Sequence, residues 1–333
     1  MIRSLVVPHD ADLQDPDLVV TRNLTMEKIT AAIEANDWMW LDIVEATEKE
    51  LVWLESNFHL HPSVVSDLRS EDRRPALMVY QRYLFLSLFQ PWLHLNKIEG
   101  KEIHCLIGEN FFITLRKPDA KAVDEAYDRV AQNVSHWRQG VSYFLYLTTQ
   151  YVLDSYYPLL DRVSDQLNAL EENFMNNGGP TKKARKPVYV IKQKLISMRQ
   201  MVAPQREVLS NVVGEERLSR NGETRDLFRH LYERLLRIYD VIDAQRDLST
   251  NVLDMIESQE NNKMAEAVNR LTVLSMIFLP MTFLTGFFQL NLVQAPDPYV
   301  LPISGAALFL MIMGMMLGSA GFMTFLFRRK GWI

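Results

Sequence analysis

The most informative absence in this chain of 333 residues is the absence of charge near its C-terminal end. Residues 271–296 contain no Asp, Glu, Lys or Arg, and neither do residues 298–327, so Asp297 alone separates the two runs. A helix needs roughly 20 apolar residues to cross the hydrocarbon core of a membrane. Both runs are long enough, and together they predict a helical hairpin in a membrane, preceded by a large charged segment.

The chain also lacks the residues on which several other classes of protein depend. Its single cysteine, Cys105, cannot form an intramolecular disulfide, and we expect it to be a small buried apolar residue. There is no Gly-rich phosphate loop, nucleophile elbow or Cys-x-x-Cys pair, so the sequence supports neither an enzyme nor a bound cofactor. The net charge of -5, without a dominant basic face, gives no indication of nucleic-acid binding.

Positive charge is missing from the connection between the two apolar runs, and this absence predicts the orientation of the hairpin. The first residues, MIRSLVVPHDAD, do not have the pattern of a signal peptide. Arg328, Arg329 and Lys330 follow the second run directly, and Lys and Arg at a helix end mark the cytoplasmic side. We therefore expect an inner-membrane protein with both termini in the cytoplasm and a basic tail that anchors the chain at the lipid surface.

The segment before the first apolar run begins as a predicted α/β domain. Strands are predicted at Ser4–Val7, Met39–Ile43, Leu77–Tyr80, Tyr83–Phe89, Glu102–Ile107 and Phe111–Leu115. Gln81-Arg82 and Gly108-Glu109-Asn110 are predicted hairpin turns, the second because Gly and Asn tolerate positive φ. Helices are predicted at Met26–Glu34, Glu48–Ser56 and Ser63–Arg69, with Thr25 and Thr47 as N-caps and a capping box over residues 47–50.

From Asp119 onward the pattern is helical. One helix is predicted over Val141–Phe174, and a second over about Val188–Val213. The basic tract between them, residues 182–186, is either a solvated helix start or a contact for anionic headgroups. No Pro or Gly occurs between Gly222 and Pro280, so a third helix is predicted to run without interruption from a stalk into the membrane.

These patterns predict an α+β membrane protein with a cytoplasmic α/β domain, long stalk helices and a C-terminal transmembrane hairpin. The predicted segments are the α/β domain 1–140, the helical stalk 141–269, the first transmembrane helix 270–291, an outer loop 292–300, the second transmembrane helix 301–327 and the basic tail 328–333.

Polar residues recur every seven positions along the third predicted helix. The series consists of Gln289, Thr282, Ser275, Val268, Asn261 and Asp254, and only Val268 is apolar. Heptad spacing keeps one helix face aligned, and Gly286 falls near the same face. Two interpretations remain open: the stripe lines a pore, or Ser275 and Thr282 bond back to their own backbone near Pro280.

A pore-lining stripe requires more than one copy of the chain, because a single two-helix hairpin cannot enclose a channel. In a symmetric ring, Asp254 would place one carboxylate per subunit around the axis and concentrate cations; otherwise it is a solvated stalk charge. Neutral amide and hydroxyl oxygens suit contact with hydrated Mg²⁺. Zinc prefers His, Cys or carboxylate, and the predicted pore has no His or Cys.

The motif FLPMTFLTGFFQLN, residues 278–291, resembles the end of the first membrane helix in the CorA-type metal-ion transporters, whose signature is Gly-x-Asn. The resemblance covers nearly the whole chain. In the N-terminal part it is carried by Trp40-Leu41-Asp42, Phe58-His59-Leu60-His61-Pro62, Arg73-Arg74-Pro75, Tyr83-Leu84-Phe85 and residues 108–114. Residues 191–199 and 203–207 are similar to the zinc-transporter (ZntB-like) branch of the family.

This resemblance implies a homopentameric funnel in which divalent cations pass along the axis of five first membrane helices, surrounded by the second helices. Asn291 matches the signature Asn at the outer mouth, Thr282 a pore threonine, and Asp254 a pore-facing acid of some members. The branch places zinc slightly ahead of magnesium, cobalt and nickel as the transported ion, and no cofactor is implied.

The chain departs from the signature at one position. Gln289-Leu290-Asn291 stands where the family has Gly-x-Asn, and glycine permits backbone conformations that a residue with a Cβ resists. Gln289 would either project its amide oxygen into the mouth or narrow it. This substitution is the basis of an alternative function, a CorA-like envelope sensor or scaffold that conducts without selectivity or not at all.

Overall fold

A computed structural model describes residues 1–13, 15, 18–70, 75–176, 182–218, 222–289 and 305–330. The chain divides into two compact units, Met1–Leu253 and Asp254–Ile333. The strands are β1 (Ile2–Val7), β2 (Thr21–Arg22), β3 (Trp38–Val44), β4 (Leu77–Val79), β5 (Leu84–His94), β6 (Lys97–Ile107) and β7 (Phe111–Arg116). The α-helices are α1 (Met26–Glu34), α2 (Glu48–Phe58), α3 (Pro62–Arg69), α4 (Ala122–Gln132), α5 (Val141–Asp154), α6 (Tyr157–Asn176), α7 (Arg185–Gly214), α8 (Gly222–Gln289) and α9 (Gly305–Arg329).

The described strands form one seven-stranded sheet in the order β2-β1-β3-β7-β6-β5-β4. Strands β3 and β7 are parallel, with Trp40 opposite Phe112, and the other neighbours are antiparallel. All six predicted strands are present. However, β5 and β6 extend further than predicted and join through Leu95 and Asn96, whose φ angles are 43° and 72°. Pro91 weakens the strand signal, but β5 tolerates it because β4 pairs only with residues 84–86 of that strand.

The predicted turn at Gly108 is present, although the reason given for it is wrong. Gly108 N donates to the carbonyl oxygen of Phe111 at 2.9 Å, and neither Gly108 nor Asn110 has a positive φ. A Cβ on Gly108 would lie 2.2 Å from the Phe111 ring. The position therefore requires glycine because of this close approach and not because of a left-handed backbone.

Helices cover both faces of the sheet. Helices α1–α3 pack on one face with residues such as Leu41 and Leu54. Helices α4–α7 and the first part of α8 pack on the other, where Trp40, Phe144 and Phe228 are fully buried. Strand β3 serves both cores because successive side chains of a strand point to opposite faces.

The capping box at α2 is confirmed. Thr47 Oγ1 accepts from Glu50 N at 3.3 Å, while the Glu50 carboxylate accepts from Thr47 N at 2.7 Å. Thr25 is the N-cap residue of α1, as predicted, but its side chain makes no capping hydrogen bond. The two caps therefore provide a matched pair in which one threonine side chain stabilises a helix start and the other does not.

The prediction of one helix over Val141–Phe174 is wrong, because α5 ends at Asp154 and α6 begins at Tyr157. Pro158 is the second residue of α6, where its missing N–H costs nothing, whereas inside one long helix it would remove a hydrogen bond. The uninterrupted third helix is confirmed, since α8 continues through Pro280. Val141 and Phe144 belong to the same core as the sheet, and the segment boundary predicted at residue 140 stays a prediction.

A buried ionic network ties β1, β3, β7 and α4 together. Asp42 is 0% exposed and accepts from Arg3, Arg116 and Thr114 at 2.5–3.1 Å. Arg3 and Arg116 also both donate to Asp124. Burial alone would lower the pKa of Arg3, but the charges and hydrogen bonds of Asp42 and Asp124 raise it above its ordinary value. Cys105 is fully buried in the same core, as predicted.

Candidate functional site

Helices α8 and α9 each have one packed face in the second compact unit. On α8 the least exposed side chains of the apolar segment are Val273, Ile277, Pro280, Met281 and Leu284. On α9 they are Ile312, Met316, Ser319, Ala320, Met323, Leu326 and Phe327. Both sets have the three- and four-residue spacing of one helix face. These two faces are the least exposed surfaces of the two described helical segments in this unit.

The predicted polar stripe lies on the opposite side of α8. Thr282 is nine residues after Val273, and at 3.6 residues per turn this separation is about half a turn around the helix. Ser275, Thr282 and Gly286 are all exposed. Leu279 and Phe283, which are 71% and 68% exposed, lie next to the stripe on one side of it. The single chain therefore leaves uncovered the face that the heptad pattern singled out.

The threonine hydroxyl groups on this part of α8 are bonded to the helix backbone. Thr282 Oγ1 donates to the carbonyl oxygen of Phe278 at 2.9 Å. Thr285, which the heptad series does not include, lies near the carbonyl oxygens of Met281 and Thr282 at 3.1 and 2.9 Å. Thr285 could have been identified from the sequence, because a residue three positions after Thr282 lies close to the same helix face. The interpretation that Thr282 bonds back to the helix backbone is thus correct for its hydroxyl hydrogen. The hydroxyl oxygen remains on the exposed face.

The continuation of the stripe toward the N-terminus of α8 is also uncovered. Asp254 and Asn261 are exposed, and Asp254 has no ion pair with any residue that the structure describes. Every residue from 261 to 272 is exposed, including Met264 at 70% and Val268 at 54%. Within the described parts of the chain, no group of three His, Cys, Asp or Glu side chains could hold a metal ion.

The C-terminal end of the stripe is only partly described. Gln289 is the last residue of α8, while Leu290 and Asn291 lie outside the described residues. At the other end of the hairpin, Arg328 and Arg329 form the last turn of α9 and are exposed. Lys330 is exposed as well, and its N–H donates to Leu326 O at 3.0 Å. The roles given to these residues stay predictions.

Among the residues that the structure describes, two helices are long and apolar enough to cross a membrane, within Glu223–Gly286 and Phe309–Arg329. Only 6% and 0% of their most apolar stretches are buried in the chain. The core helix of a water-soluble protein has similar composition but is covered by its own chain. The exposed apolar surface of these helices therefore requires a cover of lipid or of other subunits.

Comparison with known families and proteins gives consistent matches over most of the chain. The family model described as "CorA-like Mg2+ transporter protein" matches residues 35–329. The chain is 24% identical over 311 residues to the putative metal ion transporter YfjQ of Bacillus subtilis, covering 93% of this chain and 94% of that protein. It is 26% identical over 284 residues to the cobalt/magnesium transport protein CorA of Thermotoga maritima, covering 82% and 80% of the two chains.

A zinc transporter is among the relatives as well. Identity to the zinc transport protein ZntB of Pectobacterium atrosepticum is 26% over 263 residues, covering 77% of this chain and 78% of that protein. Among solved structures, the CorA magnesium transporter of Methanocaldococcus jannaschii superposes with a TM-score of 0.79 at 19% identity, covering 100% of this chain and 99% of that one. The fold, with its mixed sheet, long helices and C-terminal apolar pair, is that of this transporter. The chain belongs to the CorA-like Mg²⁺ transporter family.

Proposed function

We propose that this protein is a divalent metal cation channel or transporter of the inner membrane, in which ions pass along the axis of a homopentamer. The observation that carries the proposal is the uncharged polar stripe on the face of α8 that lies opposite the packed face. Both termini lie in the cytoplasm, because Lys and Arg follow the second span and are missing from the connection between the spans. The relatives named as metal ion transporters support the ion class.

The surfaces that a single chain leaves exposed support assembly into a ring. Residues 261–272 of α8 are uncovered on all sides, and a water-exposed helix with Met264 and Val268 at its surface gains by burying them. In a ring with closed symmetry, each α8 presents the same face to the axis. Ser275 and Thr282 then form successive rings of hydroxyl oxygens, with a ring of Asp254 carboxylates in the stalk.

The identity of the ion is proposed on narrower grounds. The motif at residues 191–199 favours zinc, whereas neutral oxygen ligands favour a hydrated ion such as Mg²⁺. The CorA and ZntB relatives are both 26% identical, so overall identity favours neither. Only the motif at residues 191–199, which resembles the zinc-transporter branch, ranks zinc slightly above magnesium, cobalt and nickel as the proposed ion.

Ion uptake into proteoliposomes tests the function directly. Vesicles with the purified chain are expected to take up at least one of Zn²⁺, Mg²⁺ and Co²⁺ faster than empty vesicles. Replacing Asn291 with Leu removes the proposed amide ring and should abolish most of the flux. Leu317→Ala, at an exposed leucine of α9, is the matched control and should conduct like the unchanged chain. Transport is refuted if no ion enters faster than into empty vesicles.

A second candidate function is supported by Gln289, which replaces the signature glycine. The protein would then be a sensor or scaffold of the envelope that conducts without selectivity or not at all. Gln289→Gly separates the two functions in the same assay. Flux of some of these ions but not others through the unchanged chain favours the transporter. Equal flux of all of them, or flux that appears only after Gln289→Gly, favours the sensor or scaffold.

A further inference from the structure

A groove between helices α6 and α7 has a volume of about 490 Å³ and lies within the first compact unit. This volume is in the range of small-molecule sites in proteins, about 300–1,000 Å³. None of the described residues that line the α6–α7 groove belongs to the polar stripe of α8, so the proposed ion path gives it no role. Its walls are mainly apolar and include Ala169, Leu170, Pro187, Val190 and Ile191.

Each of the two helices contributes one face to the α6–α7 groove. The α6 residues in the lining are at positions 166, 169, 170 and 173, and those of α7 include positions 187, 190, 191 and 194. Both sets have the three- and four-residue spacing that places side chains on the same side of a helix. Lys194 therefore lies on the side of α7 that faces the groove. A helical side chain also leans toward the N-terminus of its helix, so the Lys194 side chain extends over the turn that contains Val190 and Ile191.

Lys194 is enclosed in the protein without a counter-charge. The residue is only 6% exposed, and it makes no hydrogen bond or ion pair with any residue that the structure describes. Its amino nitrogen is nevertheless not one of the described side-chain atoms that are both unpaired and sealed from solvent. The unpaired amino group therefore reaches open space, and Lys194 lines the groove. Because a lysine is almost never buried unless it is paired, this amino group lacks the partner that its burial calls for.

The charges around Lys194 are positive. Burial and the nearby charge of Arg162 on α6 both lower the pKa of Lys194. Lys186 is the second cation in the described lining of the groove, and that lining contains no Asp or Glu. A buried ammonium group loses its hydration, and a negative charge beside it offsets the cost. The described lining therefore offers a positive charge whose matching negative charge has to come from a bound molecule.

We propose that the α6–α7 groove binds a fatty acid, with its carboxylate on Lys194 and its acyl chain along the apolar walls. Asn96 and Gln166 also line the groove, and their amide N–H groups can donate to the carboxylate. Lys186 lies roughly 12 Å from Lys194 along α7, at 1.5 Å per residue, and the apolar stretch between them accommodates the acyl chain. Arginine is the residue whose planar fork matches a phosphate group, and the described lining contains none.

Calorimetric titration of the full chain in a non-ionic detergent tests the site, with octanoate as the probe and protein-free micelles as the blank. Each CH₂ group that leaves water strengthens binding by about fourfold, so butyrate should bind at least tenfold more weakly than octanoate. Octanol has the same tail without the charge and should also bind at least tenfold more weakly, because it cannot pair with the ammonium group. Octyl phosphate should bind no more tightly than octanoate.

Three variants locate the binding. Lys194→Met removes the charge but keeps an apolar side chain, and it leaves no described group unpaired because Lys194 has no partner among the described residues. It should weaken octanoate binding tenfold or more and leave octanol binding unchanged. Lys192→Met is the matched control, since Lys192 belongs to the same helix but does not line the groove, and it should bind octanoate like the unchanged chain. Ala169→Trp fills the groove from an exposed position and should weaken the binding of both ligands.

The site is refuted if octanoate does not bind, or if the Lys194 and Lys192 variants bind it equally. Octanol that binds as tightly as octanoate refutes the role of the charge, and butyrate that binds as tightly refutes the role of the acyl chain. Tighter binding of octyl phosphate refutes the carboxylate and assigns the groove to a phospholipid headgroup. None of these results depends on whether the protein transports ions.

Discussion

The two compact units differ in how far they bury their apolar and polar side chains. In the first, two large clusters of apolar residues are buried, and the buried carboxylate of Asp42 is surrounded by donors. In the second, the described residues include only three buried apolar side chains, Ile256, Val273 and Phe327. Large apolar side chains such as Leu279 are exposed there. The first unit buries its apolar side chains as a water-soluble domain does. The second unit exposes apolar side chains, which lipid or other subunits have to cover.

This difference separates two kinds of polar residue. A polar group that the chain itself satisfies, such as Asp42, is explained by folding. A polar group left on an uncovered helix face, such as Ser275 or Asp254, is explained only by something outside the single chain. Four substitutions test this division, in order of expected effect.

The largest effect is expected for Asp42→Ala. It leaves the buried Arg116, whose side chain is 2% exposed, without its carboxylate from β3, and loss of one partner of a buried pair costs about 3–5 kcal/mol. Thermal or urea unfolding of the full chain in detergent measures the loss. Asp254→Ala removes an exposed carboxylate and should change stability by less than about 0.5 kcal/mol. Equal costs at the two positions would contradict the comparison.

Thiol labelling should distinguish two neighbours on α8 once the protein is assembled. Thr282→Cys should react with a water-soluble thiol reagent roughly tenfold faster than Phe283→Cys, because only a thiol in contact with water forms thiolate readily. The native Cys105 gives little background, since it is fully buried and burial raises the pKa of its thiol. Both positions are exposed in the single chain, so equal rates in reconstituted protein would reject the pore-facing assignment of Thr282.

Replacing Asp254 with Asn should reduce ion uptake without affecting folding. The proposed ring of five carboxylates would raise the local cation concentration, and its loss should slow uptake about fivefold at low ionic strength. The difference should shrink as salt is added, because salt screens exposed charges. Glu266→Gln makes the same change of charge elsewhere on α8, where Glu266 pairs with Arg270, and should leave uptake unchanged. A similar loss in both variants would assign the effect to net charge alone.

The smallest effect is expected for Thr47→Ala, which removes the capping box of α2 at a cost of about 1 kcal/mol. Partial burial alone would raise the pKa of Glu50, but hydrogen bonds from Thr47 and the charge of the N-terminal ammonium lower it. The stabilisation is therefore present above the ordinary pKa of a glutamate and is lost as the pH falls through the lowered value. When the free energy of unfolding is measured against pH, it should fall less steeply in acid for the variant than for the unchanged chain. Thr25→Ala, whose side chain makes no capping bond, is the control and should cost less.

Much of the fold was predictable because its signals are local. The start of α2 follows from Thr47 and Glu50, and the continuity of α8 from the lack of Pro and Gly after Gly222. The break between α5 and α6 was missed although Pro158 is a local signal for it. The turn at Leu95-Asn96 was missed because positive φ angles are uncommon for residues other than glycine. These errors concern where elements end and leave the architecture intact.

The site was predictable only in part. Heptad spacing identified the stripe of Ser275 and Thr282, but the sequence could not show that the opposite face of α8 is the packed one.

The hydrogen bond from Thr282 to the carbonyl oxygen of Phe278 has a consequence for ion selection. A free hydroxyl can turn its hydrogen toward an anion or its oxygen toward a cation. Here the hydrogen is held by the helix backbone, so only lone pairs remain for whatever lies in front of the helix face. Repeated around a ring, such hydroxyls would be a purely accepting surface. That surface would solvate cations and offer nothing to anions, and so would discriminate by sign without carrying any charge of its own.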